Sequence, residues 1–252
     1  MKAVAITCIV ALAALGAQGA IFTEDWESGL DSSVWSTWGW PSPVLSSASH
    51  AQGAYSLDPN GDGSYLSGVI STERFTPVAG MQLSVQAYIE SAQSWSELEF
   101  GLASATQIDS TPVYSEYNYV TLFIDADNQG IGPQMWDYYR TGHGAASNGS
   151  TTQVNGASLT GLFDGWHTFT FTFTEAQSIE IAIDGVAFNA SPDNWYDAAT
   201  DEFSIYLGGR SYGATENLYD QIELTVIPEP STALLMGITT GGMVLVRRKF
   251  RA

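Results

Sequence analysis

Between residues 21 and 227, apolar side chains recur at every second position. Met81, Leu83, Val85, Ala87 and Ile89 alternate with Gln82, Ser84, Gln86, Tyr88 and Glu90. Val120, Leu122 and Ile124 alternate with Tyr119, Thr121 and Phe123. In Trp166–Thr174, Phe169, Phe171 and Phe173 share one face and four threonines take the other. A period of two predicts half-buried strands. Ile179, Ile181 and Ile183 lead into Asp184-Gly185 and then Val186-Ala187-Phe188. Asp-Gly between two alternating runs predicts a hairpin, because both turn positions need left-handed backbone. Phe203-Ile205-Leu207 and Ile222-Leu224-Val226 supply the later strands. Gly, Ser, Asn and Pro clusters separate the runs. No solenoid-length repeat occurs, and no linker divides the stretch. The pattern predicts one all-β sandwich over 21–226.

The two ends break this pattern. Met1–Ala20 has one base, Lys2, then an apolar run from Ala3 to Leu15, then small residues from Gly16 to Ala20. That is the layout of a secretory signal peptide cut after Gly19 or Ala20. The only cysteine, Cys8, lies inside it. The exported body is thus expected to hold together by packing, without disulfides. At the other end, Pro228-Glu229-Pro230 precedes an apolar stretch, Ser231–Val246, and then Arg247, Arg248, Lys249 and Arg251. Proline fixes φ and disfavours helix before it, so the Pro-Glu-Pro backbone stays extended and accessible. The apolar stretch predicts a single, short transmembrane helix, and the bases fit a cytoplasmic stop.

Charge narrows the partners. Of the eight Lys and Arg, five lie in the two end segments, leaving only Arg74, Arg140 and Arg210 in the body. Of the 27 acids, all but Glu229 lie in the body, so three bases face 26 acids. Such a surface repels nucleic-acid phosphates and anionic lipid. Neutral sugars, cations and basic partners remain.

The C-terminal segment, 227–252, resembles the PEP-CTERM sorting signal of exopolysaccharide-producing Gram-negative bacteria. Pro228, Glu229, Pro230, the apolar stretch and the Arg/Lys cluster carry that resemblance, in the family's order. It implies an exosortase as processing partner and a transient inner-membrane anchor. Release to the cell surface or the medium would follow. A plain C-terminal tail anchor is the alternative.

The body carries a second resemblance. Ile21-Phe22-x-Glu24-Asp25-Trp26-Glu27, Gly165-Trp166-His167, Ile183-Asp184-Gly185 and Tyr219-Asp220-Gln221-Ile222 resemble the concanavalin A-like jelly roll. They are similar to its laminin-G-like and pentraxin-like members. Glucanases of this class carry Glu-x-Asp-x-x-Glu, with acids serving as nucleophile and acid/base. The nearest segment here is Glu97-Leu98-Glu99-Phe100-Gly101-Leu102. Leu102 replaces the last acid, so Glu97 and Glu99 are expected to form an exposed acidic strand face.

Other chemistry is sparse. His50, His143 and His167 show no paired metal spacing. His167 shares phase with Phe169 and is expected in the core. No serine elbow, P-loop or dinucleotide fingerprint occurs, so the body is expected to be non-enzymatic. Asp58, Asn60 and Asp62 begin a D-x-N-x-D-G run that can converge oxygens on Ca²⁺. A solvated hairpin turn is the competing reading. Asp125–Gly130 is a looser copy. Asp220 shares phase with Ile222 and Leu224, which points it inward to cap a loop or hold a cation.

All eight tryptophans lie in the body, with Trp35, Trp38 and Trp40 clustered. Trp136 and Tyr138 share a face with Arg140, a platform that suits sugar rings; aromatics of this kind also serve as sandwich core. The functional expectation is a non-catalytic carbohydrate-binding or adhesion module of an extracellular polysaccharide matrix. A divergent glycoside hydrolase using Glu97 and Glu99, or a purely structural envelope protein, are the alternatives.

Overall fold

The computed structural model describes residues 20–39, 42–59, 67–91, 96–104, 118–125, 134–139, 151–155, 161–191, 194, 196–211 and 216–227. The expected signal peptide (1–20), apart from Ala20, and the expected sorting signal from Pro228 onward lie outside the described residues. So do Trp40, Asn60, Asp62, Arg140 and His143.

Among the described residues, fifteen strands form two antiparallel sheets. They are β1 (Phe22–Glu24), β2 (Trp35–Gly39), β3 (Val44–Ser46), β4 (Ser56–Asp58), β5 (Ser67–Ser71), β6 (Met81–Ile89), β7 (Ser96–Ser104) and β8 (Asn118–Asp125). β9 (Gln134–Tyr139), β10 (Thr151–Asn155), β11 (Trp166–Phe173), β12 (Ile179–Ile183), β13 (Val186–Ala190), β14 (Phe203–Ser211) and β15 (Asn217–Val226) complete the set. The eight-stranded sheet runs β13-β12-β11-β6-β15-β4-β3, with β1 also on β15. The seven-stranded sheet runs β10-β9-β8-β7-β14-β5-β2.

Alternation decides which residues meet between the sheets. β6 is buried at every odd position from Met81 to Ile89 and half-buried between. Phe169, Phe171 and Phe173 face the same interior, as their period implies. Phe100 from the seven-stranded sheet meets Phe169 and Tyr219 of the other sheet edge-to-face, with centroids 5.0 and 5.4 Å apart. Phe173 stacks on Phe203 at 5.1 Å. These rings lock the two layers together, with geometry adding to the burial of their surface. The Asp184-Gly185 hairpin forms as the sequence predicts. Both residues have positive φ, 49° and 75°, and Ile183 pairs with Val186.

A β-bulge corrects the expectation for Asp220. On β15, Asp220 pairs with Gln86 and Glu223 with Ser84, so the strand carries one extra residue. Gln221 takes φ 47° at that point. One extra residue inverts the phase. Tyr219 and Ile222 therefore both face the core, and Asp220 faces outward. It is still completely buried, because the chain at Ala51–Gln52 covers it. Asp220 Oδ2 accepts the backbone N–H groups of Ala51 and Gln52 at 2.8 and 3.0 Å, and Oδ1 accepts that of Gln221. It caps a loop, from the outer side.

His167 is corrected too. It pairs with Ala87 on the inward phase but stands at the rim, half-buried. Its Nδ1 lies 2.7 Å from Asp184 Oδ2, so the imidazole braces the hairpin turn.

Carboxylates elsewhere bind loops in the same way. Glu27 Oε1 accepts from the N–H groups of Ala54 and Tyr55 at 2.7 and 2.9 Å. Asp31 caps Ser33, and Asp164 caps Ser91. Hydrogen bonds to the charged form hold Glu27, Asp31 and Asp164 below the ordinary carboxylate value. For Asp184, burial pushes the other way, but the bonds from His167 and Thr168 outweigh it and the value is lowered.

A folded pKa below the unfolded one means that the unfolded chain takes up protons first. The contribution is complete above the unfolded carboxyl values of about 4 and is lost as pH falls through the folded ones. Urea midpoints at 0.15 M salt should therefore fall between pH 5 and pH 3. A midpoint that does not change over that interval would contradict the capping role.

Candidate functional site

The outer face of the seven-stranded sheet is built around β7. Leu98, Phe100 and Leu102 point into the core and are fully buried. Alternation then puts Glu97, Glu99 and Gly101 on the outer face. The pairing register extends the position of Glu99 into one row across all seven strands. Trp38 pairs with Gly68, Gly68 with Gly208, and Gly208 with Glu99. Glu99 pairs with Phe123, Phe123 with Trp136, and Trp136 with Gln153. Six inter-strand spacings of about 4.8 Å make this row about 29 Å long. The next row contains Ile70, Tyr206, Gly101, Thr121 and Tyr138.

Two glycines shape the row. Gly68 and Gly208 stand between Trp38 and Glu99, and the missing side chains leave a depression. The Trp38 indole occupies it. A Cβ on Gly208 would come within 2.7 Å of Trp38 Cζ2. The indole stacks on the Tyr206 ring, with centroids 5.3 Å apart and planes 12° off parallel. Tyr206 is completely buried, and its hydroxyl donates to Glu99 Oε2 at 3.3 Å. Trp38, Tyr206 and Glu99 thus form a connected aromatic–acid unit.

The acids are not the exposed face expected from the sequence. Glu97 is 5% exposed and Glu99 2%. Below Glu99, the hydroxyl of Tyr219 crosses from the opposite sheet and donates to Gly208 O at 2.6 Å. Burial, reinforced by the charge of Glu99, pushes this phenol well above its ordinary value. Asn217 Nδ2 donates to Glu97 O at 3.2 Å. The backbone under both acids is therefore pinned from beneath.

The third position of the glucanase-like motif is filled on neither face. Leu102 lies in the core, and the next outward residue after Glu99 is Gly101. Of the platform residues, Trp136 and Tyr138 fall on β9, in the rows of Glu99 and Tyr206; Arg140 is outside the described residues. Asp58 ends β4 opposite Val44, while its companions Asn60 and Asp62 are outside. Among the described residues, no three or more His, Cys, Asp or Glu cluster as metal ligands.

Sequence reasoning missed Tyr206, Gly68 and Gly208. The Gly208-Gly209 pair inside a strand pattern was the available signal, since glycine there marks a close approach.

No family model and no curated protein sequence matches the chain. Solved structures do. The potassium-bound carbohydrate recognition domain of Emp46p aligns at TM-score 0.57 and 11% identity, over 80% of this chain and 91% of that one. The legume lectin-like domain from Entamoeba histolytica aligns at 0.50 and 12%, over 76% and 88%. A glycoside hydrolase family 16 endo-glucanase from Bacteroides ovatus aligns at 0.51 and 16%, over 81% and 99%. The chain has the lectin-like jelly-roll fold. That fold hosts both recognition domains and hydrolases, so function must be argued from the site.

Gly208→Ala tests the depression. The added methyl should push the indole off Tyr206 and cost about 1–3 kcal/mol, as overpacking does. Near-ultraviolet circular dichroism should lose aromatic intensity while the far-ultraviolet spectrum stays. An unchanged near-ultraviolet spectrum would contradict the packing described.

Proposed function

We propose that this jelly roll is an exported, non-catalytic module that binds a polysaccharide chain across the outer face of its seven-stranded sheet. The row from Trp38 through Glu99 to Trp136 carries the proposal. A row about 29 Å long suits an extended polymer better than a single sugar. Sugar sites pair apolar faces with a few polar groups. The half-buried Trp38 indole, stacked on Tyr206, provides the first; Glu99, itself buried, fixes the Tyr206 hydroxyl behind it, and Trp136 and Tyr138 occupy the same rows. Retaining hydrolysis needs a nucleophile and a separate acid/base about 5–5.5 Å apart. With Gly101 and Leu102 where the family pattern has its last acid, Glu97 and Glu99 lack that third partner. The likeness to lectin-like domains is consistent with binding, and the likeness to an endo-glucanase keeps hydrolysis by Glu97 and Glu99 as the second reading. That both acids are buried on one face favours it.

Calorimetry against neutral polysaccharides, including that of the host, separates these readings. Binding without release of reducing ends is expected. Trp38→Ala and Trp136→Ala should each weaken it about tenfold, equivalent to about 1.4 kcal/mol. Reducing-end release that disappears in both Glu97→Gln and Glu99→Gln would establish a hydrolase instead. No binding, together with self-assembly, would leave a structural envelope protein.

The delivery route belongs to the same proposal. A signal peptide starts export, and an exosortase acts at Pro228-Glu229-Pro230 while 231–246 holds the chain in the inner membrane. Arg247, Arg248, Lys249 and Arg251 stay on the cytoplasmic side. The protein then reaches the cell surface or the medium. Two features support this route: β1 starts at Phe22, just after the expected signal cut, and β15 ends at Val226, before the motif. Both segments can thus be removed without taking a strand. Replacing Pro228-Glu229-Pro230 with alanines should leave full-length protein in the inner membrane. Normal processing of that variant would refute the route.

A further inference from the structure

The opposite face of the sandwich carries a second concavity. On the outer side of the eight-stranded sheet, a pocket of about 320 Å³ opens where β1, β15 and β6 meet the chain around Gln52. Thr23, Gln52, Ser84, Gln86, Gln221 and Glu223 line it. The β15 register explains why it is there. Thr23 pairs with Glu223, and Glu223 with Ser84, in one outward row. The bulge at Gln221 then breaks the surface, and Asp220 clamps Ala51 and Gln52 over the gap.

The lining has an unusual balance. Gln86 and Ser84 are half-buried on β6, at one side of the pocket floor, yet no hydrogen bond joins either side chain to another described residue. Glu223 is exposed and has no such bond either. With no described protein partner, these donors and acceptors can bond a ligand in place of water. Glu24 and Asp25 also line the pocket. Glu24 is committed to the N–H of Trp26 and the indole of Trp35. Asp25 gives one oxygen to the N–H of Glu27, leaving its other oxygen and Glu223 to face a ligand. The lining contains no base and no aromatic ring. Amides and hydroxyls suit a polyhydroxylated molecule. Two available carboxylates without a cation favour a positive charge on it.

We infer that this pocket is a second ligand site that takes a sugar bearing a protonated amine, on the face opposite the polysaccharide row. The two sites differ in chemistry. The row combines aromatic surface with a buried acid and suits a neutral chain. The pocket is polar except at Ile222 and selects a cationic hydroxylated unit. The inference does not depend on the function proposed for the row.

The test uses the full-length purified protein and tetrasaccharides of glucosamine, N-acetylglucosamine and glucose. Calorimetry should show the glucosamine oligomer binding at least tenfold more tightly than the other two. Glu223→Gln and Gln86→Leu should each weaken it at least fivefold, with melting temperatures recorded to show that both variants fold. Glu175→Gln, in the turn between β11 and β12, removes the same charge elsewhere and should change nothing. Trp136→Ala should leave glucosamine binding intact while it weakens the neutral polysaccharide, which separates failure of one site from failure of the other. Equal binding of all three sugars would overturn the inference, as would equal losses in Glu175→Gln and Glu223→Gln. Tetralysine binding as tightly as the glucosamine oligomer would overturn the assignment to a sugar.

Discussion

The carboxylate bound to backbone N–H groups is the interaction on which the loops of this protein depend. With 26 acids and three arginines between residues 21 and 227, ion pairs cannot neutralise the body. A carboxylate near a turn has another partner available, because turns leave N–H groups without a ladder. Asp220, Glu27, Asp31 and Asp164 all use it. Charge-assisted bonds of this kind are stronger than neutral ones: Asp220 ties a loop to β15, Glu27 and Asp164 each tie one loop to another, and Asp31 closes its own turn. Excess negative charge, which would otherwise only repel, becomes part of the framework. In the absence of disulfides, these caps take over the work of fixing the connections.

A rigid floor makes the outer face of the seven-stranded sheet usable. Phe100 lies between Phe169 and Tyr219, and the Tyr219 hydroxyl reaches through the core to the backbone of β14. The strand positions beneath Glu99 and Gly208 are thereby held from the inside. Only then can two glycines remove side chains from the outside without loosening the sheet. The depression they leave is filled by Trp38, which sequence places far from Tyr206 and topology places beside it. The packed floor on one face and the glycine depression that seats Trp38 on the other are two consequences of the same register.

The inner faces were legible in the sequence because alternation is a local signal. Met81 to Ile89, Phe169 to Phe173 and the Asp184-Gly185 turn needed no knowledge of their neighbours. The phase of Asp220 was misread because a bulge adds one residue, and nothing in Tyr-Asp-Gln-Ile announces that. The burial of Glu97 and Glu99 was invisible for a different reason. Outward residues are covered by strands distant in sequence, so their exposure depends on pairing order. The row from Trp38 to Trp136 is likewise a property of register. Trp38, Glu99 and Trp136 stand out in the sequence as members of separate clusters, while Gly68 and Gly208 do not; their alignment on one line follows only from the order β10-β9-β8-β7-β14-β5-β2.

The placement of the two ends follows from the same topology. β1 pairs antiparallel with the end of β15, Phe22 opposite Leu224, and the Ile21 N–H donates to Leu224 O at 2.8 Å. The start and the finish of the described body therefore lie side by side on the eight-stranded sheet. Any tether attached to either end pulls on that sheet, along its strands. The strand β15 that takes the load is also the one that sends Tyr219 beneath Glu99. It is buttressed by β6 on one side and by β1 and β4 on the other, so tension is spread over four strands. The seven-stranded sheet carries neither end of the described body.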